Sequence, residues 1–220
     1  MTAIAALALG VAACGDDEAE QTEAGSPPAP VETEGPPEPV AQIDTLTGRN
    51  TRVMLDSDFL NALEDLKLTP APVGDATINE EGEAEFPITG GTVTYYEPGT
   101  VSPYVIGVIE HDGSGLSLES ADGTLVELTD FTIDPGASVL LGTVSVDGEV
   151  AVPNAPLFFL DGSTLDPLRT GANGAVAVLE GTTVKLKDEA ADLLNETFGV
   201  KALKEGLVIG QAKLTLDTGA

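Results

Sequence analysis

The 220-residue sequence has no tryptophan, one histidine and one cysteine, and each shortage removes a class of function. A lone cysteine excludes an intrachain disulfide, so an exported domain of this composition rests on its core alone. One His and one Cys also fall short of the ligand set that zinc takes. With aromatic residues at 4%, the core must be built from Val, Leu, Ile and Ala. Positive charge is scarce as well: 9 basic residues face 37 acidic ones, for a formal net charge of -28. Such a surface repels phosphate backbones and anionic headgroups, which argues against a nucleic-acid partner. Phosphate-binding loops, nucleophile elbows and dinucleotide fingerprints are missing, because GGT and GSG occur without the strand–helix context those motifs need. No segment carries the spaced acids of a calcium-binding loop either, so no metal and no cofactor is expected.

What is present begins at residues 3–13, AIAALALGVAA, a short apolar run that ends in small residues before Cys14. A membrane span needs about 20 apolar residues, so this run fits a signal-peptide core over residues 1–13. Val11, Ala12, Ala13 and Cys14 resemble the lipobox of bacterial lipoproteins. In that family the cysteine thiol takes a lipid and the leader is cut just before it, which implies an extracytoplasmic protein anchored to the membrane through Cys14. No Lys or Arg precedes the run, which points to a translation start upstream of Met1. Residues 14–43 follow, rich in Asp, Glu, Pro, Ala and Thr and free of basic residues. A segment of this kind cannot bury enough apolar surface to offset its ordering entropy, so a disordered acidic linker is expected.

Residues 44–220 read as one domain. GGTVTYYE, SPYVIGVIEH, GLSLES, GTLVELTDFTI, SVLLGTVSV and EVAV are rich in β-branched residues and partly alternate. Asp122-Gly123 and Asp147-Gly148 each separate two such runs, a strong hairpin signal. Asp112-Gly113 and Asp161-Gly162 mark further turns. The expected fold is mostly β, an antiparallel β-sandwich or barrel with two short capping helices. The helices follow two similar segments, TRVMLDSDFLNAL at 51–63 and TTVKLKDEAADLL at 182–194. Ser57 is the candidate N-cap of the first, with Phe59, Leu60, Leu63 and Leu66 inward. Asp188 is the candidate N-cap of the second, with Ala190, Ala191, Leu194 and Phe198 inward and Gly199 as its stop.

The phrases FPITGGTV, GVIEHDGSGLSL and LTDFTIDPGASVLLGTVSV, between Phe86 and Phe159, resemble a group of secreted actinobacterial surface proteins. They are also distantly similar to the HtaA-type domains of Gram-positive haemin uptake. The resemblance implies a β-rich surface domain. Haem-binding members of that family use a Tyr near the domain start and a His in the hairpin region. His111 falls where such a His would stand, whereas the opening segment RVMLDSDFLNALEDL has Phe59 and no tyrosine.

Among candidate site residues, His111 has Glu110, Asp112 and Ser114 close in sequence, a set that invites acid–base or nucleophilic readings. Neighbours on one strand alternate in direction, so His111 is read as an exposed turn residue and no catalytic residue is assigned. Tyr95, Tyr96 and Tyr104 lie on neighbouring runs and could form, with His111, a ligand-binding patch. The functional expectation is a non-enzymatic, membrane-anchored binding or adhesion domain that meets a ligand or a cell-envelope partner. The alternative is a haem- or metal-handling surface lipoprotein that feeds a transporter.

Overall fold

Alternation of buried and half-exposed side chains makes strands of most of this chain. Along Val139–Val146, for instance, Leu140 and Val144 point inward while Leu141, Thr143 and Ser145 do not. The computed structural model describes residues 37–218. The signal peptide, the lipidation at Cys14 and most of the acidic linker lie outside the described residues.

The first strands are β1 (Ala41–Ile43) and β2 (Arg49–Leu55), followed by helix α1 (Ser57–Leu66). Next come β3 (Leu68–Gly74), β4 (Thr77–Ile78), β5 (Glu83–Pro87), β6 (Gly90–Tyr95), β7 (Val105–Ser120) and β8 (Leu125–Asp134). The last elements are β9 (Val139–Val146), β10 (Glu149–Asp161), β11 (Arg169–Gly171), β12 (Val176–Leu186), α2 (Asp188–Phe198) and β13 (Val208–Asp217). The fold is thus mostly β with two helices, as the sequence led us to expect. One boundary moves: Ala41–Ile43, assigned to the linker from sequence, pair with Val93–Tyr95 and belong to the sheet.

The strands form one antiparallel sheet in the order β1-β6-β7-β8-β9-β10-β12-β13-β2-β5-β4, with β3 beside β7 and β11 beside β12. The sheet curls because β5 and β6 are nearly continuous yet pair with different limbs, β5 with β2 and β6 with β7. At the corner between them, Ile88 N–H donates to the Arg49 carbonyl at 2.7 Å and Thr89 N–H to the Glu110 carbonyl at 2.8 Å. One bent segment therefore ties the two limbs around a single apolar interior. The result is a curled, barrel-like sheet and not two stacked ones.

The turn chemistry accounts for two hairpins as expected. Asp147 and Gly148 have φ of 51° and 83°, the pair of positive values that a tight primed turn requires. Asp112-Gly113, by contrast, does not end a strand. It forms a bulge within β7, between the His111–Phe131 and Gly115–Thr129 pairs.

Both helices start one residue away from where the sequence places their caps. Asp56, not Ser57, caps α1, its carboxylate accepting from Asp58 N–H at 2.8 Å. Lys187, not Asp188, stands at the cap of α2 and makes no side-chain cap bond; Asp188 and Glu189 sit in the first turn, where they complement the helix dipole. Gly199 ends α2 in the left-handed region, as expected. Because β2 and β12 both run antiparallel to β13, their C-termini meet its start at the Leu55–Gly210 and Lys185–Val208 pairs. Hence α1 and α2 cover the same end of the curled sheet. The echo between the two strand–helix units stops there, since β13 returns beside β12 whereas β3 pairs with β7.

A row of charges crosses the outer face of the sheet. Glu85, Arg52, Lys213 and Glu180 stand in register on β5, β2, β13 and β12, and Arg169 on β11 pairs with Glu180. These pairs are half-exposed, so each contributes little stability, but together they occupy three of the nine basic side chains.

Candidate functional site

Away from the helices, the curled sheet opens into a cleft of about 630 Å³. Its floor is aliphatic and comes from strand positions that face the interior, among them Ile109, Ile133, Leu179 and Leu214. Its walls come from connections: residues 96–104 between β6 and β7, the turn between β8 and β9, and the segment 161–167 after β10. That last segment is held down at several points. Asp161 caps a short 3-10 turn by accepting from Ser163 N–H, Lys185 Nζ lies 2.8 Å from the Asp161 carboxylate, and Asp166 N–H donates to the Glu180 carbonyl at 2.8 Å. A volume of this size falls within the roughly 300–1,000 Å³ of small-molecule sites.

Two of the four sequence candidates meet in this cleft. Tyr95, at the end of β6, and Tyr104, just before β7, pack edge to face with centroids 5.9 Å apart. The Tyr104 hydroxyl donates to the Gly162 carbonyl at 3.2 Å, which ties the loop before β7 to the segment after β10. Burial, and then the neighbouring Tyr95, push the Tyr104 pKa above its ordinary value, so this side chain is a phenol and not a phenolate. Tyr96 points away from Tyr95 because successive residues alternate, and it does not line the cleft.

His111 stands elsewhere. Read from sequence as an exposed turn residue, it is 1% exposed, inside the curl. Its Nδ1 lies 3.2 Å from the Phe131 carbonyl and its Nε2 lies 2.8 Å from Thr51 Oγ1. A carbonyl can only accept, so Nδ1 carries the proton and Nε2 accepts from the Thr51 hydroxyl. Burial lowers the His111 pKa to about 4, against the raising effect of the Phe131 carbonyl, and the ring is neutral at pH 7. Ser114 is fully buried too, but its hydroxyl donates to the His111 backbone carbonyl and not to the ring. The grouping of His111 with Ser114 is therefore a folded bulge without nucleophile–base geometry.

His111 and Thr51 line a second, interior space of about 50 Å³, together with the buried Phe86, Phe131, Phe158 and Val184. The polar atoms of His111 and Thr51 are turned toward partners, and the cavity wall presents only apolar surface. Ile133, Leu160 and Ala212 border both this cavity and the cleft. These three side chains are the partition between the two spaces.

The charged groups lining the cleft are Asp161 and Asp166, and no Lys or Arg is among them. The hydrogen bond from Lys185, followed by those from Ser163, holds the Asp161 pKa down to about 2, so Asp161 is a carboxylate whose charge the Lys185 ammonium offsets. Among the described residues no three His, Cys, Asp or Glu side chains cluster as a metal site, and no helix is long and apolar enough to cross a membrane. Sequence reasoning missed the aliphatic floor and Phe159, whose ring is 44% exposed beside the cleft. A signal for Phe159 existed in the Phe158-Phe159 pair, where two adjacent aromatics cannot both face the core of a regular strand.

No family model matches the sequence and no curated protein matches it. The fold is similar to that of solved structures from Corynebacterium glutamicum. The C-terminal domain of HtaA matches with a TM-score of 0.56 at 12% identity, over 79% of this chain and 98% of that one. The heme binding protein HtaB matches with a TM-score of 0.48 at 11% identity, over 80% of this chain and 96% of that one. At such identity the HtaA likeness is one of fold, in keeping with the sequence resemblance.

Proposed function

We propose that this chain is a non-enzymatic extracytoplasmic binding protein, anchored through a lipid on Cys14, whose cleft takes an apolar or amphiphilic ligand. The observation that carries the reading is the cleft itself: about 630 Å³ of largely aliphatic and aromatic lining with few polar groups. The acidic rim sets the polarity of the ligand. Asp166, beside the Asp161–Lys185 ion pair and on a chain of net charge -28, disfavours an anionic head and leaves an uncharged or cationic one.

Titration of the purified chain with the uncharged probe N-phenyl-1-naphthylamine tests this. Its fluorescence is expected to rise on binding. Phe159→Asp, a change at a half-exposed position, is expected to weaken the probe by tenfold or more without altering the unfolding midpoint. An unchanged affinity in that variant rules the cleft out as the site.

A haem reading has its own support in the Tyr95–Tyr104 pair and in the HtaA-like fold. Against it stands the acidic balance of the chain, with no Lys or Arg lining the cleft to meet the two haem carboxylates. A Soret shift with haemin that disappears in Tyr104→Phe would replace the proposed ligand class with haem.

A further inference from the structure

The small interior cavity beside His111 has no polar atom to offer, and it shares three wall residues with the cleft. We propose that it is the inner end of the same binding site and takes the terminal carbons of a single unbranched alkyl chain; this rests on the ligand-binding reading of the cleft. The ligand class then narrows to a single-chain amphiphile with an uncharged or cationic head.

Three observations converge on this. First, the cavity is dry in character: both His111 nitrogens and the Thr51 hydroxyl are engaged, so a water there would find no partners. An alkyl terminus entering it displaces nothing and gains dispersion contacts that its walls now lack. Second, the size is selective. At about 50 Å³ it is a third of the roughly 150 Å³ cavity that accommodates benzene, enough for one or two chain carbons and too small for a ring. Third, the shared wall is wholly aliphatic. Ala212 contributes only a methyl group, and Ile133 and Leu160 are aliphatic side chains that can change rotamer without breaking a hydrogen bond.

The head belongs in the cleft, whose lining includes the polar side chains of Asp161, Asp166 and Ser102. Tail inward and head outward is also the only orientation that leaves no polar group in the apolar interior. Ala212 is on these grounds the residue that sets chain length.

The test is displacement of bound N-phenyl-1-naphthylamine by n-alkanols from eight to sixteen carbons, for the unsubstituted chain, Ala212→Leu and Ile133→Ala. In the unsubstituted chain, affinity is expected to rise about fourfold per added methylene and then level off once the inner cavity is filled. Ala212→Leu is expected to level off about two carbons earlier, with the shortest alkanols unaffected. Ile133→Ala, which widens the partition, is expected to level off one or two carbons later, and it keeps the test alive if the larger side chain prevents folding. Break points that coincide with the unsubstituted chain in each variant that folds overturn the proposal while leaving the cleft reading intact. If no alkanol displaces the probe, the cleft reading fails, and this proposal fails with it.

Discussion

His111 Nε2 and Thr51 Oγ1 meet at 2.8 Å across the interior of the curled sheet, joining β7 to β2 although the two strands are not paired neighbours. Both side chains are buried, so neither can exchange its partner for water. Thr51→Val preserves shape and removes the donor, leaving Nε2 an unsatisfied buried acceptor at a cost of about 1–3 kcal/mol. Thr51→Ser keeps the hydroxyl and should recover much of that loss. Urea unfolding at pH 7 measures both. Equal destabilisation by Val and Ser would show that the methyl, and not the hydrogen bond, carries the stability.

The same histidine makes stability depend on pH. Its folded pKa of about 4 lies below the ordinary 6.5, so between these values the unfolded chain binds more protons than the folded one. The contribution is complete above pH 6.5 and is lost as pH falls toward 4, amounting to about 3 kcal/mol in all. Carboxylates titrate in the same window, so the informative quantity is a difference. The unsubstituted chain should lose more stability between pH 7 and pH 4 than His111→Gln, which has no ionisable ring. Parallel pH curves for the two proteins would contradict a buried, neutral His111.

Asp161 anchors the segment that walls the cleft, and its environment is readable directly. The Lys185 hydrogen bond is the largest influence lowering its pKa to about 2, followed by the Ser163 hydroxyl and backbone N–H. Lys185→Met should move the carboxyl titration, followed by carbon NMR, back toward the usual aspartate range. A carboxyl that keeps its low pKa without Lys185 would assign the effect to Ser163 alone.

Gly91 sets the distance between β6 and β7. It has φ of +117°, and a Cβ built on it would lie 1.9 Å from the Val108 carbonyl oxygen. An alanine there must either push the strands apart or abandon its backbone conformation, and about 3 kcal/mol or more is expected. Since β6 delivers Tyr95 to the cleft, Gly91→Ala should also weaken probe binding under conditions where it remains folded. Loss of stability with full probe affinity would mean that Tyr95 is positioned independently of this contact.

Much of the fold was legible because its signals are local. Asp147-Gly148 reads as a hairpin because both residues must take positive φ, and Gly199 reads as a helix stop for the same reason. Asp112-Gly113 carries the same signature and yet forms a bulge. Its backbone donors are met from distant segments, Asp112 N–H by the Thr89 hydroxyl at 2.9 Å and Gly113 N–H by the Asp130 carboxylate at 3.0 Å. Nothing within β7 announces either acceptor. His111 was misread for the same reason: the hydroxyl that allows it to be buried lies on β2, 60 residues away in sequence. The cleft was half legible. Two tyrosines stand out in a chain poor in aromatics, but the leucines and isoleucines of a floor look like those of a core.

The anchor is the last expectation, and charge makes its test sharp. Cys14→Ser removes the thiol that the lipid would modify, so metabolic palmitate labelling should vanish. Two routes could hold such a variant at the membrane: an uncut apolar leader or electrostatic adhesion. Adhesion requires clustered basic residues, at about 1 kcal/mol per Lys or Arg near an anionic surface. With 9 basic against 37 acidic residues, adhesion is repulsive and grows no stronger at low salt. The leader route is separated by size, since an uncut chain migrates more slowly than the processed protein. The expected result is loss of label, with membrane retention solely as the uncut form. A processed Cys14→Ser protein that stays membrane-bound in low salt, or an unsubstituted protein that never labels, would end the lipoprotein reading.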